Sequence, residues 1–303
     1  MNSKIEYTSE SLISKIEELK ASSDIMNYLY IGESILGKKI PVITLGDASA
    51  KKSVLYVATH HALENICTTV LMDFIEEYLK AYEGYKQICG INLRYMYKMR
   101  KIHIIPMLNP DGVGYRLNGM DSENPIRERV ISYNGGSEDF SKWSSNARGV
   151  DLNHNYNAYF DEYKVYERES QITAGRGKYS GEYPESEPEI QAIANFIRYY
   201  ENEIQAVLTL HTQGEEIYYK SKGYAPKGAD IKARHISKMT GYQISEAEGA
   251  SALGGLTDWY IKEYNKPSYT VECGLGENPL DIREAGGIYV RLREMLFSFP
   301  ILF

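Results

Sequence analysis

Apolar positions along this chain recur in two rhythms. From Ser9 to about Ala21, Leu12, Ile13, Ile16 and Leu19 return at helical spacing behind Ser9 or Ser11 as caps, which predicts a helix. Tyr28-Leu-Tyr-Ile-Gly32 and Lys39-Ile-Pro-Val-Ile-Thr-Leu-Gly46 read as strands either side of the turn-prone Leu36-Gly-Lys-Lys39. Ser53-Val-Leu-Tyr-Val-Ala58 is apolar almost throughout, as a strand covered on both faces requires. The stretch from Leu63 to Ala81 predicts a helix. Buried strands are predicted again at Ile102–Leu108, Ala206–Leu210 and Ser268–Glu272. Helical patterns over Glu187–Tyr199, Lys227–Thr240, Gly255–Glu263 and Asp281–Leu296 alternate with them.

This alternation predicts a single α/β domain over residues 1–303. Its mixed, mostly parallel, twisted sheet has about eight strands with helices on both faces, and residues 1–45 are integral to it. Sites in such sheets form at the carboxyl ends of strands. The segment 116–148, rich in Asn, Ser, Gly and charge, shows no clear element and is expected to be an active-site loop, a lid or a binding loop.

Composition narrows the class. With 43% hydrophobic and 25% charged residues, the 303-residue chain can bury a sizeable core. Its 27 tyrosines imply many rings half buried with the hydroxyl bonded or wet. A net charge of -7 without a basic patch argues against nucleic acid as a partner. No stretch approaches a membrane span. The start Met1-Asn-Ser-Lys-Ile-Glu-Tyr7 lacks the features of a signal peptide, so a cytoplasmic protein is expected unless a leader has been removed. Cys67, Cys89 and Cys273 have neither disulfide nor zinc-ribbon spacing and read as small core residues. Oligomeric state is not readable from the pattern.

The candidate chemistry sits where strands end. His61 and Glu64 follow one strand in Tyr56-Val-Ala-Thr-His-His-Ala-Leu-Glu64, His211 closes another, and Glu272 a third. Two histidines and a carboxylate are a known catalytic zinc set, leaving one position for water. His60 competes with His61, but direction alternates along extended chain, so only one of the two can face the site. Asn109-Pro-Asp-Gly112 reads as a turn. Arg148, Asp151 and Asn153 crowd into the polar stretch Asn146-Ala-Arg-Gly-Val-Asp-Leu-Asn-His-Asn155.

Taken in order, His61-x-x-Glu64, Asn109-Pro-Asp-Gly112, Gly149-Val-Asp-Leu-Asn153, His211, Gly254-Gly-Leu-Thr-Asp-Trp259 and Thr270-Val-Glu272 resemble the M14 family of zinc carboxypeptidases along nearly the whole chain. Within it, Leu210-His-Thr-Gln-Gly-Glu-Glu-Ile-Tyr218, Gly181-Glu-Tyr-Pro-Glu-Ser-Glu-Pro-Glu189 and Val271-Glu-Cys-Gly-Leu-Gly-Glu-Asn-Pro-Leu280 look like the bacterial γ-D-glutamyl-L-diamino acid peptidases that cut cell-wall peptides.

The resemblance implies one Zn²⁺ on His61, Glu64 and His211, Glu272 as general base, and Arg148 stabilising the oxyanion. Asp151 would orient His61 from behind, and Asn153 would hydrogen-bond a substrate carboxylate. Two positions depart from the digestive carboxypeptidases. His154 stands where they carry the arginine that grips a free C-terminal carboxylate, and an imidazole cannot form that fork. Ala250 falls where they carry a mobile tyrosine, a role that a shifted alignment would give to Tyr242. Thr257 falls at the floor of the specificity pocket and points to a polar side chain. The implied activity is muropeptide hydrolysis at the γ-D-glutamyl–diamino acid bond. In the absence of a leader or wall-binding repeats, it would serve wall recycling or sporulation. The alternatives are a general metallocarboxypeptidase or deacylase on ordinary short peptides, or a catalytically silent binder of wall peptides.

Overall fold

The computed structural model describes residues 5–84 and 87–303. The leader-free reading of the N-terminus rests partly on Met1–Lys4, which lie outside them. Ten strands form, β1 (Met26–Glu33), β2 (Lys39–Leu45), β3 (Ser53–Ala58), β4 (Gln87–Ile88), β5 (Ile91–Asn92), β6 (Lys101–Ile105), β7 (Ile204–His211), β8 (Glu216–Tyr218), β9 (Gln243–Ile244) and β10 (Ser268–Glu272). The helices are α1 (Ser9–Ser22), α2 (Ile66–Glu83), α3 (Leu93–Met99), α4 (Pro110–Asn118), α5 (Arg127–Tyr133), α6 (Phe160–Glu169), α7 (Pro188–Tyr199), α8 (Ala229–Thr240), α9 (Leu256–Tyr264) and α10 (Ala285–Ser298).

Eight strands make one sheet in the order β1-β2-β6-β3-β7-β10-β8-β9, and β4 and β5 pair as a separate hairpin. The central pairings β6/β3, β3/β7 and β7/β10 are parallel, whereas β1/β2, β2/β6 and β10/β8 are antiparallel. The predicted mixed eight-stranded sheet is therefore present. Its middle is buried on both sides, and β3 shows why. Val54, Tyr56 and Ala58 join the cluster containing residues of α1, α2, α8 and α10. Leu55 and Val57 join the cluster under α7 and α9. Truncating one such side chain to alanine costs about 2–5 kcal/mol, because the close-packed layer cannot collapse into the hole.

The tyrosines are buried more deeply than their number suggests. Tyr56, Tyr260 and Tyr269 are fully enclosed and donate their hydroxyls to the carbonyls of Leu296, Ile204 and Ala229. Cys67 and Cys273 are core residues as expected, but Cys89 is exposed beside the β4/β5 hairpin.

Two expectations change near the site. The helix read from Leu63 is a 3-10 turn (Ala62–Glu64) followed by α2, because Glu64 N–H closes a tight bond of 3.1 Å on His61 O. Segment 116–148 also holds structure: α4 takes its first residues and α5 lies inside it, and Phe140 and Trp143 pack against Tyr115. The pattern also missed α3, the strongly charged α6, and the strands β8 and β9 of three and two residues.

Candidate metal centre and active-site cleft

The parallel strands β3, β7 and β10 end on one side of the sheet, and their ends carry the chemistry. Leaving β3, Thr59 takes φ 58°, an uncommon left-handed conformation for a β-branched residue, and is tethered by a 2.8 Å hydroxyl contact to Thr68. Beyond it the two imidazoles part. His60 is buried, with Nε2 2.9 Å from the Tyr156 hydroxyl, while His61 faces His211 and Glu64. The choice of His61 over His60 agrees with this geometry.

Potential ligand atoms of His61, Glu64 and His211 all lie within 4.8 Å of one another. His61 Nδ1 is 2.9 Å from Glu64 Oε1, His211 Nδ1 is 2.9 Å from Glu64 Oε2, and the two Nδ1 atoms are 3.3 Å apart. Three Lewis bases aimed at one point suit a divalent cation of borderline softness, and the donor set fits zinc. Burial opposes ionisation of Glu64, yet His61 and His211 hold its carboxyl down at about 2. It is therefore ready to ligate as the anion.

Asp151 stands behind His61, its Oδ1 3.0 Å from Nε2. Its other partners are the backbone N–H groups of Asn153 and Lys178, at 3.1 and 2.9 Å. Burial disfavours this charge too, but His61, His154 and the N–H bonds keep the carboxyl well below its usual range. A carboxylate there fixes the proton on Nε2 and leaves the Nδ1 lone pair for the metal. Asn109 is more than a turn residue. It caps α4 by accepting from Gly112 N–H, and its amide donates to His60 O at 3.0 Å and Ser144 O at 3.1 Å. A side chain at position 112 would place Cβ 2.3 Å from Ser145 O, so this strut needs glycine.

Glu272 ends β10, in register with His211 on one neighbouring strand and Glu216 on the other. Burial, then the Glu64 carboxylate and more weakly Glu216, push its carboxyl up to about 8, with His61 pulling the other way. A cation in the triad adds a further downward pull. Glu272 lines one cleft with His61, His211, Asn153, His154, Thr257 and Asp258.

Within that cleft Asn153 Oδ1 accepts from Leu256 N–H at 3.1 Å, so its amide group is what remains to offer a ligand. His154 stacks on Tyr163 at 4.1 Å, with Nδ1 2.8 Å from Leu253 O. Burial lowers its pKa below the usual value, so the ring is neutral near pH 7 and Nδ1 carries the proton. Thr257 Oγ1 is 3.0 Å from Ser268 Oγ and 2.9 Å from Thr270 Oγ1, which makes the floor a hydroxyl cluster.

The oxyanion role read for Arg148 finds no support in the lining of this cleft. Arg148 lies outside the cleft lining and belongs to the adjoining cavity with Tyr133, Tyr179 and Glu187. Its side chain is 55% exposed and its Nη1 lies 3.7 Å from Glu187 Oε2. Asn146 Oδ1 accepts from the N–H groups of Arg148 and Val150, and Gly149 takes φ 71°, so a tight turn separates Arg148 from Asp151. Among the described residues none of 116–148 lines the cleft, so the loop expectation draws no support from it. Tyr242 is core, with its hydroxyl 3.4 Å from Gly274 N, and Ala250 sits in a 3-10 turn near the rim. Tyr218 and Lys220 line the cleft and were missed. The three-residue strand β8 that carries Tyr218 and leads to Lys220 gives no period to find them by.

Comparison with known proteins agrees with this geometry. Residues 12–286 match the zinc carboxypeptidase family, Peptidase M14. The chain is 32% identical over 289 residues to gamma-D-glutamyl-L-diamino acid endopeptidase 1 of Lysinibacillus sphaericus, covering 95% of this chain and 71% of the relative. Among solved structures, thrombin activatable fibrinolysis inhibitor superimposes with a TM-score of 0.75 at 19% identity, covering 99% of this chain and 75% of the other. Murein-tripeptide amidase from Escherichia coli O157 gives a TM-score of 0.54 at 20% identity, with 91% of each chain covered. These two show the shared fold. The protein is a metallopeptidase of the M14 zinc carboxypeptidase family, with zinc as its cofactor.

Proposed function

We propose that this protein hydrolyses muropeptides at the bond between γ-D-glutamate and a diamino acid. The observation that carries the reading is His154. A neutral ring whose Nδ1 proton is spent on Leu253 O cannot grip a C-terminal carboxylate as a guanidinium does. The floor of the cleft it lines is a cluster of hydroxyls, which favours a polar side chain there over an apolar one. The endopeptidase of Lysinibacillus sphaericus is a relative along almost the whole chain and is consistent with this choice.

In this reading His61, Glu64 and His211 hold the zinc ion. When bound, zinc polarises the scissile carbonyl and acidifies water. Asp151 keeps His61 in the ligating tautomer. Glu272 takes the proton of the attacking water on its carboxylate and hands it to the departing amine, from its place at the end of β10 in register with His211. Asn153 donates its amide N–H to a substrate oxygen, His154 supplies an acceptor at Nε2, and Thr257 anchors the pocket floor. Arg148 has no part in this reading.

Glu272→Gln keeps the shape and removes the base. With zinc content unchanged, turnover of a γ-D-glutamyl-diaminopimelate peptide is expected to fall by roughly 10²–10⁴-fold. Turnover equal to the wild type would refute the assignment of the base.

A further inference from the structure

Replacing the family's arginine with His154 leaves a question of charge: what meets a substrate carboxylate? Among the described residues that line the cleft, Lys220 is the only lysine or arginine. We infer that Lys220 binds a carboxylate of the residue on the amine side of the scissile bond. The inference rests on the reading above that the cleft receives a peptide substrate, and it adds a specificity-determining residue to it.

The sheet places Lys220. Strand β8 runs antiparallel to β10, with Glu216 opposite Glu272 and Tyr218 opposite Thr270. Side chains alternate along extended chain, so Glu216, Tyr218 and Lys220 share a face while Tyr219 turns into the core. Tyr218, Lys220, Thr270 and Glu272 accordingly line the same cleft. The ammonium thus belongs to the wall that carries the general base.

Its neighbours do not consume it. Lys220 pairs with Glu246, whose side chain is 60% exposed at the rim. Exposed pairs of this kind are screened and weakly held, so an incoming carboxylate can share or replace Glu246. Lys222, paired with Glu162 over the Tyr159 ring, and Arg148, 3.7 Å from Glu187, are not among the residues that line the cleft. An ammonium is a compact point charge with three donors and imposes no planar fork. It tolerates a carboxylate presented at more than one angle, as on a branched diamino acid, where the arginine of a carboxypeptidase selects one.

The test uses zinc-loaded Glu272→Gln protein, which would bind substrate without consuming it. Calorimetric titration compares L-Ala-γ-D-Glu-diaminopimelate with its two mono-amides, one blocked at each diaminopimelate carboxyl. Adding Lys220→Met should weaken binding of the free acid about 10–100-fold, the range expected for one charge-assisted contact. Affinity for the mono-amide that lacks the recognised carboxylate should not change, and the affected amide identifies that carboxylate. Lys220→Arg should retain most of the binding. Equal losses on the acid and both amides, or no loss on any, would overturn the inference. If the protein binds only ordinary short peptides, the proposed function fails. The same comparison of acid with amide on those peptides then still decides the role of Lys220.

Discussion

Adjacent imidazoles at 60 and 61 do different work because the backbone between strand and turn separates them. His60 is bonded to Tyr156 and stacks on His211, bracing the site from below. His61 is tied from both sides, by Glu64 and by Asp151. Asp151→Asn would weaken that hold, and outer partners of metal-bound histidines are worth roughly 10–100-fold in metal affinity. Zinc competition against a chromogenic chelator should show a loss of that size, with the fold intact. An unchanged affinity would contradict the assigned role. The triad and the placement of Glu272 were legible because their neighbours form short motifs at strand ends. The direction of Arg148 was not. Closeness in sequence to Asp151 says nothing about direction across a turn with Gly149 at φ 71°.

Elements set the precision of the site. Asn109 joins the first turn of α4 to the carbonyls of His60 and Ser144, with Asn109 and His60 fully buried and Ser144 partly so. Asn109→Ala removes a cap and takes away the donor to the buried His60 carbonyl, while Ser144 O keeps the Ala62 N–H, a loss on the order of 2–4 kcal/mol. A denaturant midpoint lowered to that extent, together with weaker zinc binding, is the expected result. Trp143→Ala separates packing from catalysis. It should cost about 3–5 kcal/mol through the cavity under segment 116–148. Because that segment does not line the cleft, KM measured well below the melting temperature should stay put. A large rise in KM would restore the lid. Long apolar runs such as β3 were readable from periodicity. Strands as short as β8 carry too few residues to show a period, and Tyr218 and Lys220 were lost with it.

The whole molecule pays for its buried carboxyls in a pH-dependent way. Burial, reinforced by Asp111 and Glu187, pushes Glu189 up to about 8. Burial lifts Asp258 to about 7 against the pull of Ser221, Gly255 N–H and Lys222. Both groups hold protons in the folded state that the unfolded chain releases near pH 4. Their contribution to stability therefore declines as pH rises from about 4 through 8. Glu189→Gln should flatten this slope and raise Tm more at pH 8 than at pH 5. A slope unchanged by the substitution would contradict the assignment. No helix among the described residues is long and apolar enough to cross a membrane. The architecture was legible at this scale because the order of strands and helices constrains a parallel sheet strongly. Which side chain fills which corner of the cleft was not, since that depends on register between strands distant in sequence.

The central claim is a zinc-dependent cut between γ-D-glutamate and a diamino acid. Mass spectrometry of a digest of L-Ala-γ-D-Glu-diaminopimelate-D-Ala, run with and without a zinc chelator, tests it directly. The account predicts L-Ala-D-Glu and diaminopimelyl-D-Ala as products, formed only in the absence of chelator and restored by added zinc. Release of D-Ala alone, or an intact tetrapeptide beside ordinary peptides shortened from their C-termini, would contradict it.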